Sequence, residues 1–226
     1  MSAKSLESRF CPFQQLMQAE GIPGIVIDTF RHNYVQLVSG ATGLIPESEI
    51  SPVDTLPDLA SFSEDLRNTG TAAIAKTAMI KLNGGLGTSM GLEQAKSLIV
   101  VKDGLSFLDI IARQALMQET PLILMNSFAT RADSLEVLKQ YPGLEKPGLA
   151  LDFLQHKVPK IDQNDLSPVR WPRAPQLEWT PPGHGDIYTA LVTSGMLDAL
   201  LGSGYRYAFI SNADNLGAAL DPALLG

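Results

Sequence analysis

Lys81-Leu82-Asn83-Gly84-Gly85-Leu86-Gly87-Thr88-Ser89-Met90-Gly91 is the stretch on which the fold turns. It overlaps the end of Thr77-Ala78-Met79-Ile80-Lys81-Leu82, a short apolar run that reads as a buried strand. The chain thus leaves a rigid core and enters four glycines within eight residues. Without a Cβ, glycine takes positive φ and lets the backbone lie close against a ligand, and successive N–H groups in such a turn converge on an anion. The pattern points to a phosphate-binding loop. Lys96, a few residues beyond it, can return a point charge to the same phosphates.

Two better-known glycine loops do not fit. A Walker A loop needs Gly-Lys-Ser/Thr after its last spacer, and Gly91 is followed by Leu92. The dinucleotide fingerprint G-x-G-x-x-G fails because Met90 stands where the third glycine belongs. Gly87-Thr88-Ser89-Met90-Gly91 does match G-x-S-x-G, the nucleophile elbow of serine hydrolases, with His184 as a candidate base. That elbow is one sharp turn from strand to helix, whereas Ser89 lies several residues past the strand end. A hydrolase and a plain flexible turn without a ligand stand as the alternatives.

With 226 residues the chain has room for one large domain or one and a half ordinary ones, and for a sizeable core. A hydrophobic fraction of 45% with 18% charged residues is that of an ordinary globular protein, not a disordered one. The net charge of −7 and a pI near 4.9 argue against a nucleic-acid polymer or an anionic membrane surface as partner. Any phosphate site must therefore be a local arrangement. Cys11 is the single cysteine, which excludes an internal disulfide and a cysteine zinc site. His32, His156 and His184 are too scattered for a histidine metal cluster. The start, Met1 to Phe10, has no apolar leader, and no stretch approaches the ~20 apolar residues of a membrane span. The expected location is cytoplasmic.

Residues 1–70 read as a helical, loop-rich lead-in. Phe13, Leu16 and Met17 stand at helical spacing before Gly21 and Pro23, then Pro46, Pro52 and Pro57 punctuate a connector, and a short helix covers 63–68. From residue 71 strands and helices alternate, which indicates an α/β layer with a mixed, mostly parallel sheet. After the strand at 77–82, the pattern predicts a strand over Lys96–Val101, a turn at Asp103-Gly104, and a helix from Ser106 to Gln118. A strand over 121–126 follows, then Thr130 as N-cap of a helix reaching Gln140, and a strand over 149–155. Residues 164–182, polar and proline-rich with Trp171 and Trp179, read as a long surface loop of functional kind. One helix is expected from Gly183-His184-Gly185-Asp186 to about Leu201, and a strand over Tyr205–Ile210 opening onto Ser211-Asn212-Ala213-Asp214-Asn215. In open α/β sheets ligands bind outside the carboxyl ends of the strands, so these segments can meet at one site although they are distant in sequence.

Leu82 to Gly91 with Lys96-Ser97, Pro181-Pro182-Gly183-His184-Gly185-Asp186-Ile187-Tyr188, and Ser211-Asn212-Ala213-Asp214-Asn215-Leu216-Gly217-Ala218 together resemble the eukaryotic-type UTP–glucose-1-phosphate uridylyltransferases, also called UDP-glucose pyrophosphorylases. The match runs from about residue 70 to the last residue, with three motifs in the family's order. The resemblance implies a Rossmann-like nucleotidyltransferase fold of GT-A-like type over residues 71–226. It also implies Mg²⁺ dependence and the reversible reaction of UTP with glucose 1-phosphate to give UDP-glucose and pyrophosphate. By the same resemblance, Leu82, Asn83, Gly84 and Gly85 hold the nucleotide, with Gly84 and Gly85 also beside the substrate. Lys96 touches the triphosphate and is the catalytic cation, and Gln155 reads uracil, whose edge suits a side-chain amide. Gly183 faces the base through its backbone, His184 lies beside the sugar phosphate, Asn212, Ala213 and Asp214 contact the sugar nucleotide, and Asp214 is the magnesium ligand. Taken singly, Lys96 also reads as a solvated lysine, Gln155 as a backbone cap, His184 as a turn residue and Asp214 as a helix N-cap.

The chain departs from the family at two places. Family members usually carry Gly-Pro-Lys-Ser where this chain has Gln94-Ala95-Lys96-Ser97, and loss of the proline predicts a less stiff approach and weaker triphosphate binding. The sequence stops at Gly226, shortly after Asp214, where relatives continue for a comparable length. The expectation is a piece that is incomplete at the C-terminus and lacks the sugar-binding half, with oligomerisation possible through the missing part. A catalytically silent UTP- or UDP-sugar-binding fragment is the alternative reading.

Overall fold

The computed structural model of the chain describes residues 3–86 and 94–226. Helices α1 (Ala3–Ala19), α2 (Gly24–Val38) and α3 (Glu64–Ile74) precede strand β1 (Thr77–Asn83). Strands β2 (Val100–Lys102) and β3 (Leu105–Ser106) then lead to α4 (Phe107–Met117), β4 (Leu122–Asn126), α5 (Arg131–Leu138) and β5 (Asp152–Leu154). After these come β6 (Val158–Pro159), β7 (Trp179–Thr180), α6 (Ile187–Thr193), α7 (Met196–Gly202), β8 (Tyr207–Asn212) and α8 (Pro222–Leu225). Among the described residues no helix is long and apolar enough to cross a membrane.

Contacts divide the chain into two compact units, residues 1–56 with 156–182 and residues 57–155 with 183–226. The first unit leaves the N-terminal segment at residue 56 rather than 70 and takes in the whole proline-rich stretch 164–182. In the first unit, Phe10, Phe13 and Met17 recur on one side of α1 and are buried with Val26, Ile27 and Tyr34 of α2 and Val158 of β6. Tyr34 Oη donates to the Leu166 carbonyl at 2.9 Å, and burial pushes its phenol pKa up. The stretch 164–182 is not all surface loop. Trp179 lies in β7, pairs with Pro159 of β6 and packs on the aromatic cluster, while Trp171 stays exposed.

The second unit is built on a four-stranded sheet in the order β5-β4-β1-β8. Each pairing in it is parallel, and the two-stranded ribbons β2-β3 and β6-β7 are antiparallel. A parallel sheet is covered on both faces, so its strands read as continuous apolar runs. β4 is accordingly buried at every position. Strand alternation sends Met79, Leu122 and Leu124 to a core with Leu108, Ile111 and Ala115 of α4. Ala78, Ile80, Ile123 and Met125 go to the opposite core, with Ile187 and Ala190 of α6 and Met196 and Leu200 of α7. α4 starts where expected, at a capping box in which Ser106 and Asp109 exchange hydrogen bonds with each other's backbone.

Three local expectations are corrected. Lys96–Leu98 is a 3₁₀ turn rather than the start of a strand, and only Val100–Lys102 is extended, paired with β3 outside the main sheet. The apolar run Leu98–Val101 has β propensity but no neighbour in the sheet to complete a strand. The helix expected from 183 to 201 is broken at Gly195, whose φ of 76° is left-handed, so that α6 and α7 are separate. Thr130 precedes α5 but does not cap it, because its hydroxyl is engaged elsewhere.

Candidate functional site

The parallel register of β1 and β8 sets Leu82 beside Asn212, and the Ala213 N–H donates to the Leu82 carbonyl at 3.0 Å. Asn212, Ala213 and Asp214 are thereby laid alongside the start of the glycine loop. The loop returns on itself: Leu86 bridges Ala95, and the Lys96 N–H donates to the Gly85 carbonyl at 3.3 Å. This return places Lys96 Nζ 4.0 Å from Asp214 Oδ2, with both side chains well exposed. His184 arrives from the 3₁₀ turn His184–Asp186. A pocket of about 150 Å³ is lined by Leu82, Asn83, Gly85, Lys96, Ser97, His184, Asn212, Ala213 and Asp214. All but Ser97 are residues singled out from the sequence. The remaining loop residues, 87–93 with Ser89 among them, lie outside the described residues, while β1 ends at Asn83, well short of Ser89.

Asn83 lines the pocket, yet its side-chain amide nitrogen points inward. It donates to Asn126 Oδ1 at 2.7 Å and to Ser134 Oγ at 2.8 Å, and Asn83 is only 3% exposed. The Thr130 hydroxyl donates to the Asn83 carbonyl at 2.7 Å. Asn126 in turn donates to Asp152 Oδ2 at 3.1 Å, and Arg131 clamps that carboxylate with Nε at 2.8 Å and Nη2 at 3.2 Å. A buried carboxylate is costly unless paired and hydrogen-bonded, and here it has both. The network ties the carboxyl ends of β1, β4 and β5 into one piece, so the donors of Asn83 support the loop rather than a ligand.

Gly84 and Gln155, both picked out from the sequence, are buried against each other and do not line the pocket. A Cβ on Gly84 would overlap the Gln155 amide, so that side chain would have to shift to admit one. Gln155 Oε1 is buried with no hydrogen-bond partner, and its backbone N–H donates to the Asn126 carbonyl at 2.8 Å. Gly183 has φ 106° with open space around it, so backbone conformation alone selects glycine at that position.

Sequence reasoning missed the residues that hold this site. Arg131, Ser134 and Asp152 carry no motif, and Asn126 reads only as a strand end. Lys81 did carry a signal, as the one charged residue in the apolar run Ala78–Leu82. It is 1% exposed, and its ammonium donates to Ser211 Oγ at 2.7 Å and to the Ala218 carbonyl at 3.1 Å.

The fold and the site together define an α/β protein with a glycine loop and a charged pocket at the carboxyl edge of a parallel sheet. The chain belongs to the UTP–glucose-1-phosphate uridylyltransferase family, whose model matches residues 27–226. It is 39% identical over 184 residues to a probable UTP–glucose-1-phosphate uridylyltransferase from Schizosaccharomyces pombe, covering 78% of this chain and 35% of that protein. It is 41% identical over 177 residues to the UTP–glucose-1-phosphate uridylyltransferase of Solanum tuberosum, covering 74% of this chain and 36% of that protein. Among solved structures, a mutant UDP-glucose pyrophosphorylase from Leishmania major in complex with UDP-glucose is similar with a TM-score of 0.86 at 41% identity, over 100% of this chain and 47% of that one. UDP-glucose phosphorylase from Trypanosoma brucei gives a TM-score of 0.83 at 43% identity, over 96% and 46%. The chain thus spans 35–36% of the length of these curated relatives and less than half of these solved ones.

Proposed function

We propose that this chain is the nucleotide-binding portion of a UTP–glucose-1-phosphate uridylyltransferase, in which UMP passes reversibly from UTP to glucose 1-phosphate to give UDP-glucose and pyrophosphate. The observation that carries this reading is the meeting of Leu82, Asn83, Gly85, Lys96, His184, Asn212, Ala213 and Asp214 around one pocket at the carboxyl edge of the sheet. A relative of 41% identity that holds UDP-glucose supports the choice of ligand. In this reading the backbone of Leu82–Gly85 receives the nucleotide, Lys96 meets the triphosphate, and Gln155 reads uracil with the Gly183 backbone beside it. His184, Asn212, Ala213 and Asp214 face the sugar phosphate.

The attacking oxygen of glucose 1-phosphate is already an oxyanion and needs no general base. It bonds to the α-phosphorus of UTP, the bond from that phosphorus to the bridging oxygen breaks, and pyrophosphate leaves with the electron pair. The protein's task is to hold two polyanions together and offset their charge. Lys96 and the loop amides are suited to it. The donor set also fits Mg²⁺, which takes one or two carboxylates together with substrate phosphates. Asp214 offers a single exposed carboxylate at the pocket. When bound, the ion supplies charge neutralisation on the phosphate oxygens.

Calorimetric titration of the 226-residue chain with UTP and Mg²⁺ tests the reading, with ATP and a Gln155→Ala variant as controls. Saturable binding that prefers UTP and disappears in the variant is expected. Equal binding of ATP and UTP, or no binding of either, sinks it. UDP-glucose formation is measured separately on the same sample, and binding without turnover assigns this chain the role of a silent nucleotide-binding module.

A further inference from the structure

We propose that Lys81 is a positioning residue that holds Asn212, Ala213 and Asp214 at the pocket by tying both ends of the segment that carries them. The ligand invoked in the test rests on the nucleotide reading above; the tie itself does not. Lys81 is central in β1, and strand alternation puts it on the same face as Met79. Directly opposite in β8 is Ser211. The ammonium donates to the Ser211 hydroxyl at 2.7 Å and to the Ala218 carbonyl at 3.1 Å, and lies 5.7 Å from the centre of the Phe209 ring. One charged group therefore grips the chain just before Asn212 and again after Gly217.

The position of this contact gives it its purpose. β8 ends the described sheet, so the segment after it has a strand on one side only. Ala213 is buried in the core and its N–H bonds to Leu82, and Leu216 packs on the same core. The turn between is held locally by the Asn215 N–H on the Asn212 carbonyl at 3.3 Å and the Gly217 N–H on Asn215 Oδ1 at 3.1 Å, so that Lys81 adds a charged grip. A buried ammonium is expensive, and an apolar side chain of the same length would fill the space at lower cost. Burial accordingly lowers the Lys81 pKa to about 8. Lys81 does not line the pocket, so its influence on a ligand there must pass through the segment it holds.

Lys81→Met keeps the length and the apolar stem while deleting the ammonium. Ser211→Ala removes one anchor alone and carries the test if the first variant fails to fold. Hydrogen exchange on the nucleotide-free chain comes first. Amides of residues 212–219 should exchange roughly tenfold faster in either variant, with 122–126 unchanged. Unaltered protection over 212–219 overturns the proposal. Calorimetry follows: affinity for Mg–UTP should fall roughly tenfold, or about 1.4 kcal/mol, while affinity for UTP in EDTA stays the same, because Asp214 acts through the cation. Equal losses with and without Mg²⁺ reduce Lys81 to a general structural role and also overturn it. A wild-type chain that takes up no Mg–UTP overturns the nucleotide reading instead, and the exchange experiment still decides the tie.

Discussion

On the β1-β4-β5 side of the pocket, Asn83 is held by Asn126, Ser134 and Thr130, with Asp152 and Arg131 behind them, whereas on the β8 side the segment carrying Asn212 to Asp214 is tied by Lys81. The difference follows from sheet position. Three adjacent strand ends bring short amide and carboxylate side chains within hydrogen-bond reach, so neutral donors share most of the load and one ion pair closes the network. The segment after an edge strand has one neighbouring strand, and the tie must come from a side chain long enough to reach along the sheet face. A cooperative network gives rigidity, and its members fail together. The segment after β8 has fewer polar ties, the Lys81 ammonium and the Ala213–Leu82 backbone bond beside the core burial of Ala213, and is cheaper to disturb.

The sharpest way to break the comparison is Asn126→Leu. The replacement is close in size but leaves Asn83 Nδ2 and the Asp152 carboxylate each short of a partner at a fully buried site, and about 3 kcal/mol of stability should be lost. Urea unfolding would report it, and an unchanged midpoint would mean that the network is not load-sharing. Gly84→Ala comes next. The new methyl overlaps the Gln155 amide, so a cost of about 1–2 kcal/mol is expected. Preference for UTP over ATP should fall further than affinity itself; a variant with intact preference would separate Gly84 from the base.

The β8 side has its own signature in pH. The folded-state pKa of Lys81, about 8, lies below the ordinary 10.5, so between those values the unfolded chain binds more protons and stability rises with pH. Relative to Lys81→Met, the wild-type urea midpoint should therefore climb between pH 8 and pH 10, and parallel curves would contradict the buried ammonium. The smallest effect is expected at the return of the glycine loop. Ala95 has φ −57°, already within the range of proline. Ala95→Pro should add about 0.4–1 kcal/mol by restricting the unfolded chain, read as a small rise in thermal midpoint with slightly tighter UTP binding.

Much of this was legible in the residues. The strand before the glycine loop, the helix from Ser106 to Gln118 and the buried strand ending at Asn126 follow from local chemistry, and the structure has a strand over 77–83, a helix over 107–117 and a strand over 122–126. Eight of the nine pocket residues are among those that the resemblance to the family singles out, and of these the glycine, the lysine and the polar strand ends also stand out against the apolar runs. Lys96–Val101 was misread because an apolar run is only half of a strand; the other half is a partner at the right place. Asn83 looked like a ligand group, yet its amide donors are spent on Asn126 and Ser134. Gln155 read as the residue for uracil or as a backbone cap, and its side chain is buried against Gly84.

The sequence by itself determined the elements and their chemistry: a buried strand running into a glycine loop, and polar residues at strand ends. These depend on neighbours along the chain, whose spacing is covalently fixed. Only the tertiary structure decided that β8 lies beside β1, that Asn126 and Asp152 stand behind Asn83, and that Lys81 reaches Ser211 and Ala218. Those contacts join residues 26 to 137 positions apart, and they arise from the order of strands in the sheet, which no local spacing encodes.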